Sequence, residues 1–362
     1  MPARAYRSYA ELPAAAAGLF AEARDRIFQS RIWLENFERN GLRPGDQLRV
    51  FSVEADGAPV ALAPAVYSRL YAAHPNARVL YFLQADEQPY EPLLGAASAR
   101  EAAAALADWL VANRNAYDVV RAGPLDPQAP FAAALVAALR ASRHPLQLYA
   151  HFSDRYETVA QAPFKEYLAR RPRTLREALE RNTRLLLQGG RGRFHLASSR
   201  ELLDDSWGSV RHIVDQAPRE AEPEPPGYLP SVLALAADAG ALRLGIFFLD
   251  DVPEAMQLWI VNTGVAYCLR IWEVRGFRPF PLDEVLTQMM ALCLIDGDGV
   301  RELDFGAVSE AFARDWAPAA RPRVALAAFN PRTWRGLRGA LRHVGVQYLK
   351  SLLPSFLRRG RA

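Results

Sequence analysis

The stretch "LRLGIFFLDDVPEAMQLWIV", Leu242 to Val261, and its earlier counterpart "LRVFSVEADGAPVALAPAVY", Leu48 to Tyr67, decide the fold. Each reads as an apolar run, an acidic turn, a proline and a second apolar run. Asp56-Gly57 and Asp250-Asp251 are pairs that accept positive φ in a two-residue turn, so each stretch is expected to be a β-hairpin. Downstream of each comes an apolar-periodic helix, "REAAAALADWLVANR" from Arg100 and "LDEVLTQMMALCLID" from Leu282. A short strand follows, "YDVVRAGPLD" from Tyr117 or "VRELDFGAV" from Val300. The order strand, strand, helix, strand occurs twice. Two copies are too few for a solenoid, so two similar α/β domains are expected, with a boundary near residue 150. Prolines and acids in "QAPREAEPEPPGYLP", Gln216 to Pro230, mark an exposed loop inside the second copy.

With 362 residues, 51% hydrophobic and 23% charged, the chain has the composition of a globular protein of two ordinary domains. Its N-terminus lacks the shape of a signal peptide and no run of eighteen apolar residues occurs, so a cytoplasmic protein is expected. Cys268 and Cys293 lie in apolar segments without CxxC spacing and read as small hydrophobes. Six scattered histidines form no HxH or HExxH pattern, which leaves metal chemistry without support. The net charge of +4 is unevenly placed: ten arginines and lysines and no acid follow Asp315, leaving residues 1–315 with 34 basic against 40 acidic groups, net −6. That balance argues against a nucleic-acid-binding body, DNA included.

Between the two halves, "RPRTLREALERNTRLLLQGG" reads as a helix. Thr174 and Glu177 have capping-box spacing, and Gly189-Gly190 is the expected stop. Leu175, Leu179 and Leu186 form its apolar stripe, with Arg176, Arg181 and Arg184 off it, either a solvated basic face or a dock for anionic phosphates. The tail from Arg332 repeats apolar residues at Trp334, Leu337, Leu341, Val344, Tyr348 and Leu352 with arginines beside them. This basic amphipathic helix is expected either to pack on the second domain or to lie on an anionic membrane through residues 331–362.

The segments "YLARRPRTLREALERNTRLLLQGG", "DDSW" at Asp204 to Trp207, "GALRLGIFFLDDVPEAMQLWIV", "VRELDFG", "AFARDWAP" and "LAAFNPRTWRG" together resemble the tandem GNAT acyltransferases. The closest branch is the CelD-like, FemAB-related group often found beside bacterial polysaccharide genes. The likeness spans about residues 150–340, and the first half only in outline. It implies an α/β (α+β) fold of two tandem GNAT-like domains, residues 1–150 and 151–330, each a mixed twisted sheet flanked by helices, followed by the basic helix of 331–362. It also implies an acyl-CoA donor such as acetyl-CoA held where two parallel strands splay apart, no metal, and an amine acceptor on a small molecule or a saccharide.

Carried over residue by residue, the resemblance is uneven. Arg270 stands where the family commonly has Lys, Glu273 and Val274 stand for His-Asp, Pro281-Leu282-Asp283 for Ser-Pro-Gly, and Phe312-Ala313 for Tyr-Lys; Asp304, Phe305, Gly306 and Trp316 are kept. The catalytic candidates are therefore Glu273, Asp304 and Arg270. Arg176, Arg181, Arg184, Leu286 and Thr287 are candidates for the cofactor, and Trp207, Phe305 and Trp316 for the acceptor pocket. Each has a plain structural reading as well: a strand-end carboxylate, a cap, an ion pair, a packing aromatic. Asp283 and Glu284 occupy the turn where the pyrophosphate is expected, and two like charges about 4 Å apart cost on the order of 4 kcal/mol at an effective dielectric near 20. A catalytically degenerate scaffold of a polysaccharide system and a FemAB-like aminoacyl transferase are the alternatives to an acyl-CoA enzyme.

Overall fold

The first hairpin turns at Asp56 (φ 51°) and Gly57 (φ 80°), the second at Asp250 (φ 51°) and Asp251 (φ 64°), so both use the doubly left-handed turn that matches strand twist. The computed structural model describes residues 1–345 except 70, 72, 75, 161, 219–223 and 275–280. In chain order its strands are β1 (Ala3–Tyr6), β2 (Gln47–Ala55), β3 (Ala58–Ser68), β4 (Val79–Phe82), β5 (Leu93–Leu94), β6 (Val119–Leu125), β7 (Leu146–Thr158), β8 (Gly192–Ala197), β9 (Leu242–Leu249), β10 (Val252–Asn262), β11 (Val265–Glu273), β12 (Glu302–Asp304) and β13 (Ala319–Phe329).

The chain divides into two units, one of residues 1–24, 28–152 and 322–362, the other of residues 25–27 and 153–321. The first has the strand order β1-β2-β3-β4-β6-β13 and the second β8-β9-β10-β11-β12-β7. Each holds one parallel pair, β4 with β6 or β11 with β12, among antiparallel neighbours. Helices Ala99–Ala112 and Leu282–Leu292 occupy matching places in the repeat, as do Pro130–Ala141 and Glu310–Trp316. The fold is thus two tandem GNAT-like domains, each a mixed sheet flanked by helices. The last strand of each repeat is traded. Residues 322–329 of β13, which the sequence assigns to the second domain, complete the first unit against β6, and residues 156–158 of β7 complete the second against β12.

Helix Arg173–Thr183 begins two residues earlier than the capping box requires. Pro172 is its cap, no side chain bonds the free N–H groups, and Glu177 instead pairs with Arg173 at 2.6 Å. Proline presets the backbone for a helix start, so Thr174 lies inside the first turn. Leu175, Leu179 and Leu186 are buried as expected and the helix closes on Gly189. Of the Gln216–Pro230 loop, residues 219–223 lie outside the described residues, and helix Tyr228–Asp238 takes its last three.

The tail differs most from its expected packing. Helix Trp334–Ala340 belongs to the first unit, and it buries Gly336 and Ala340 while Trp334 is 75% exposed, Leu337 40% and the following Leu341 64%. The glycine face seats the helix closely: a Cβ on Gly336 would stand 2.7 Å from the Asp118 carbonyl oxygen and also meet that of Asn330. Replacing Gly336 by Ala is expected to destabilise the protein by about 1–3 kcal/mol, read as a lower Tm, although Ala is the better helix former. Residues 346–362, including Tyr348 and Leu352 of the expected stripe, lie outside the described residues.

Candidate functional site

Strands β11 and β12 run parallel for three steps, from Val265 opposite Glu302 to Tyr267 opposite Asp304. There β12 ends, while β11 continues to Glu273, so the sheet parts beyond Asp304. Within that stretch the register against β10 slips: Leu258 faces Arg270 and Trp259 faces Cys268, leaving Leu269 as an extra residue. A bulge of this kind takes one residue's backbone out of the ladder and turns it toward whatever lies alongside. On the other side of the opening, Gly306 (φ 50°) makes the turn after β12, and a Cβ there would be 3.7 Å from the Cys268 carbonyl oxygen.

Asp304 sits at the base of this opening with 7% of its surface exposed. Its Oδ1 accepts the Gly306 N–H at 2.8 Å and its Oδ2 accepts from Arg321 at 3.0 Å. Arg321 also holds Glu302 at 2.7 Å and stacks over the Tyr156 ring at 3.6 Å. Burial, reinforced by the neighbouring Asp154 carboxylate, pushes Asp304 up to about 7 against the opposing pull of the Gly306 N–H and Arg321. A carboxyl group poised near neutrality can take up and release a proton at working pH. Burial holds the Cys268 thiol well above its ordinary value, so it has no thiolate to act as a nucleophile.

A cavity of about 560 Å³ in the same unit is lined by Trp207, Val214, Glu224, Leu229, Arg270 and Trp272 among others. The structure therefore brings Trp207 and Arg270 together, with Arg270 bonded to Glu224. Glu224 and Trp272 were missed in the sequence. Trp272 lies two places after Arg270 on the strand, and alternation would have found it. Glu273 ends β11 opposite Ala255.

Phe305 and Trp316, expected at the acceptor pocket, are instead packed in the apolar core at 0% and 1% exposure, and neither lines the cavity beside Trp207 and Arg270. Phe305 meets Trp259 edge to face at 5.1 Å, and the Trp316 carbonyl accepts the Tyr167 hydroxyl at 2.8 Å.

A second cavity, about 480 Å³, is lined by Lys165, Arg176, Thr183, Arg184 and Gln288 together with Glu180 and apolar neighbours. Thr183 donates to Gln288 at 2.9 Å, tying helix Arg173–Thr183 to helix Leu282–Leu292. Arg181 is exposed and lines no part of this cavity. Leu286 and Thr287 are fully buried; Thr287 Oγ1 donates to the Asp283 carbonyl at 2.7 Å and accepts from Gln257 at 2.6 Å. Neither side chain has surface to offer a cofactor, because the apolar stripe of the helix includes both positions.

At the start of that helix no side chain caps from Pro281, and Asp283 Oδ1 accepts the Glu284 N–H at 2.9 Å. Burial raises both acids, Glu284 further through Asp283 and Asp315. Three cationic side chains at the second cavity fit coenzyme phosphates. The helix N-terminus does not, since a carboxylate already holds one of its N–H groups.

Residues 173–314 match the family model described as acetyltransferase (GNAT) domain. Among solved structures, the C-terminal domain assigned to a lysylphosphatidylglycerol synthetase from Agrobacterium fabrum is 12% identical, with 91% of this chain and 96% of that one covered and a TM-score of 0.53. A tandem GNAT protein from the clavulanic acid biosynthesis pathway gives 13% identity, 90% and 98% coverage and a TM-score of 0.51. FemX gives 12%, 83%, 91% and 0.50. At these identities the likeness is one of fold. No curated protein matches the chain.

Proposed function

We propose that the protein is an N-acyltransferase that moves an acyl group from acyl-CoA to an amine. The observation that carries this reading is the parting of β11 from β12 directly above a buried carboxyl group poised near neutrality. Acyl-CoA supplies the thioester. The cavity beside Trp207 and Arg270 holds the acceptor, whose neutral amine nitrogen forms the new bond to the carbonyl carbon as the carbon–sulfur bond breaks. Asp304 takes the proton that nitrogen sheds, directly or through one water, and the thiolate that leaves is protonated in turn. The backbone freed by the bulge at Leu269 polarises the carbonyl. Lys165, Arg176 and Arg184 hold the phosphates. Envelope or polysaccharide precursors bearing an amino sugar suit the resemblance, and a cytoplasmic site of action goes with them.

Calorimetric titration with acetyl-CoA and longer acyl-CoAs tests this. Micromolar binding is expected, and silence with every donor would leave the non-catalytic scaffold, the reading that the occupied helix N-terminus favours. Replacing Asp283 with Gly and Glu284 with Thr is expected to tighten acetyl-CoA about tenfold or more, because one or two kcal/mol of repulsion is relieved and bare N–H groups become a second phosphate anchor. Affinity unmoved by that double replacement would mean that the donor never reaches the turn.

A further inference from the structure

Among the described residues, Trp334 is the most exposed large hydrophobic side chain and Leu341 the third; Trp334 opens the short helix Trp334–Ala340 and Leu341 caps its C-terminal end. At about 100° per residue, Trp334, Leu337 and Leu341 fall within a stripe roughly 60° wide, and Arg335, Arg338 and Arg342 form a second stripe directly beside it. Gly336 and Ala340 occupy the opposite side and are buried. Close packing on Gly336 and Gly339 fixes which way the helix faces, since a Cβ on Gly339 would stand 2.7 Å from the Phe329 ring. The exposed face thus pairs an apolar stripe with a cationic one, and no acidic residue occurs anywhere after Asp315. A surface that is apolar inside and anionic at its rim takes both at once, and a bilayer carrying anionic headgroups is such a surface.

We propose that this helix docks the protein in plane on an anionic lipid bilayer, with Trp334, Leu337 and Leu341 in the acyl boundary and the three arginines among the headgroup phosphates. Indole suits the interfacial depth because its ring is apolar and its N–H remains wet. This inference goes beyond acyl transfer and does not depend on it: docking is read without turnover.

The test is co-sedimentation of the full chain with vesicles of phosphatidylcholine alone and of phosphatidylcholine mixed with phosphatidylglycerol. Binding to the mixed vesicles only, weakening as salt rises, is expected. The triple variants Trp334→Ser/Leu337→Ser/Leu341→Ser and Arg335→Gln/Arg338→Gln/Arg342→Gln should each bind at least about tenfold more weakly. All six side chains are solvent-facing, so an unchanged Tm and circular dichroism spectrum will show that the variants still fold. The proposal is overturned if the wild-type chain ignores phosphatidylglycerol, or if the serine variant binds as the wild type does, which would assign binding to residues 346–362 or another surface. It is also overturned if light scattering shows a dimer that the serine variant abolishes, since a second copy would then cover the face.

Discussion

Replacing Asp304 by Asn is expected to lower the rate of acyl transfer by about 10²–10³-fold while acetyl-CoA affinity stays within about twofold, the signature of a lost proton acceptor rather than a lost binding contact. Asn keeps a carbonyl oxygen for the Gly306 N–H, and Arg321 keeps Glu302, so the turn and the ion pair have a way to persist. A base must be deprotonated to act. Wild-type kcat/KM should therefore rise with pH through about 7, and that inflection should vanish in the variant. Stability moves the other way. A folded pKa raised above the unfolded value makes a contribution that is full below about pH 4 and is lost as pH climbs through about 7. The wild type should accordingly lose Tm relative to Asp304→Asn between pH 5 and pH 8. Full activity in the variant would remove Asp304 from the chemistry.

The triple replacement Lys165→Gln/Arg176→Gln/Arg184→Gln is expected to weaken acetyl-CoA binding about a hundredfold, since each charge-assisted phosphate contact contributes on the order of 1 kcal/mol or more. Arg184 already holds Glu180 at 2.9 Å, but both side chains are exposed, and such a pair is worth little against a phosphate. Dephosphorylated coenzyme A should lose less affinity than coenzyme A does, because fewer charges are at stake. Turnover at saturating donor should remain near the wild-type value, which separates these residues from Asp304. Unchanged affinity in the triple variant would place the phosphates elsewhere.

Legibility from sequence followed how local the determining physics was. The two hairpins were readable because Asp-Gly and Asp-Asp prescribe their turns within two residues, and the repeat was readable because it only required those signals twice. The traded last strands were not, since nothing in "RPRVALAAF" says which of two similar sheets it joins. The tail helix inverted the usual rule: its apolar stripe looks outward because glycines at 336 and 339 allow a closer backbone approach than leucine would. At the candidate site, Asp304 and Arg270 were proposed from resemblance, whereas Asp154, Lys165, Glu224 and Arg321, which lie beside the candidate residues in the fold, come from distant segments. Their roles rest on burial and on proximity across the fold, which spacing alone does not encode. Phe305, Trp316, Leu286 and Thr287, read from the resemblance as contact residues, are buried side chains in the structure, because a retained motif marks packing as readily as chemistry.

The exchange of final strands sets an order of assembly. Residues 153–321 are nearly contiguous and can close their sheet as soon as they have been synthesised. The N-terminal unit cannot, since β6 waits for its neighbour: Val119 meets Phe329, some two hundred residues later in the chain. Domains usually form from the N-terminus as the ribosome delivers them. Here the half made first is finished last, with its edge open during elongation, and it is this half that a chaperone would be expected to hold on the ribosome.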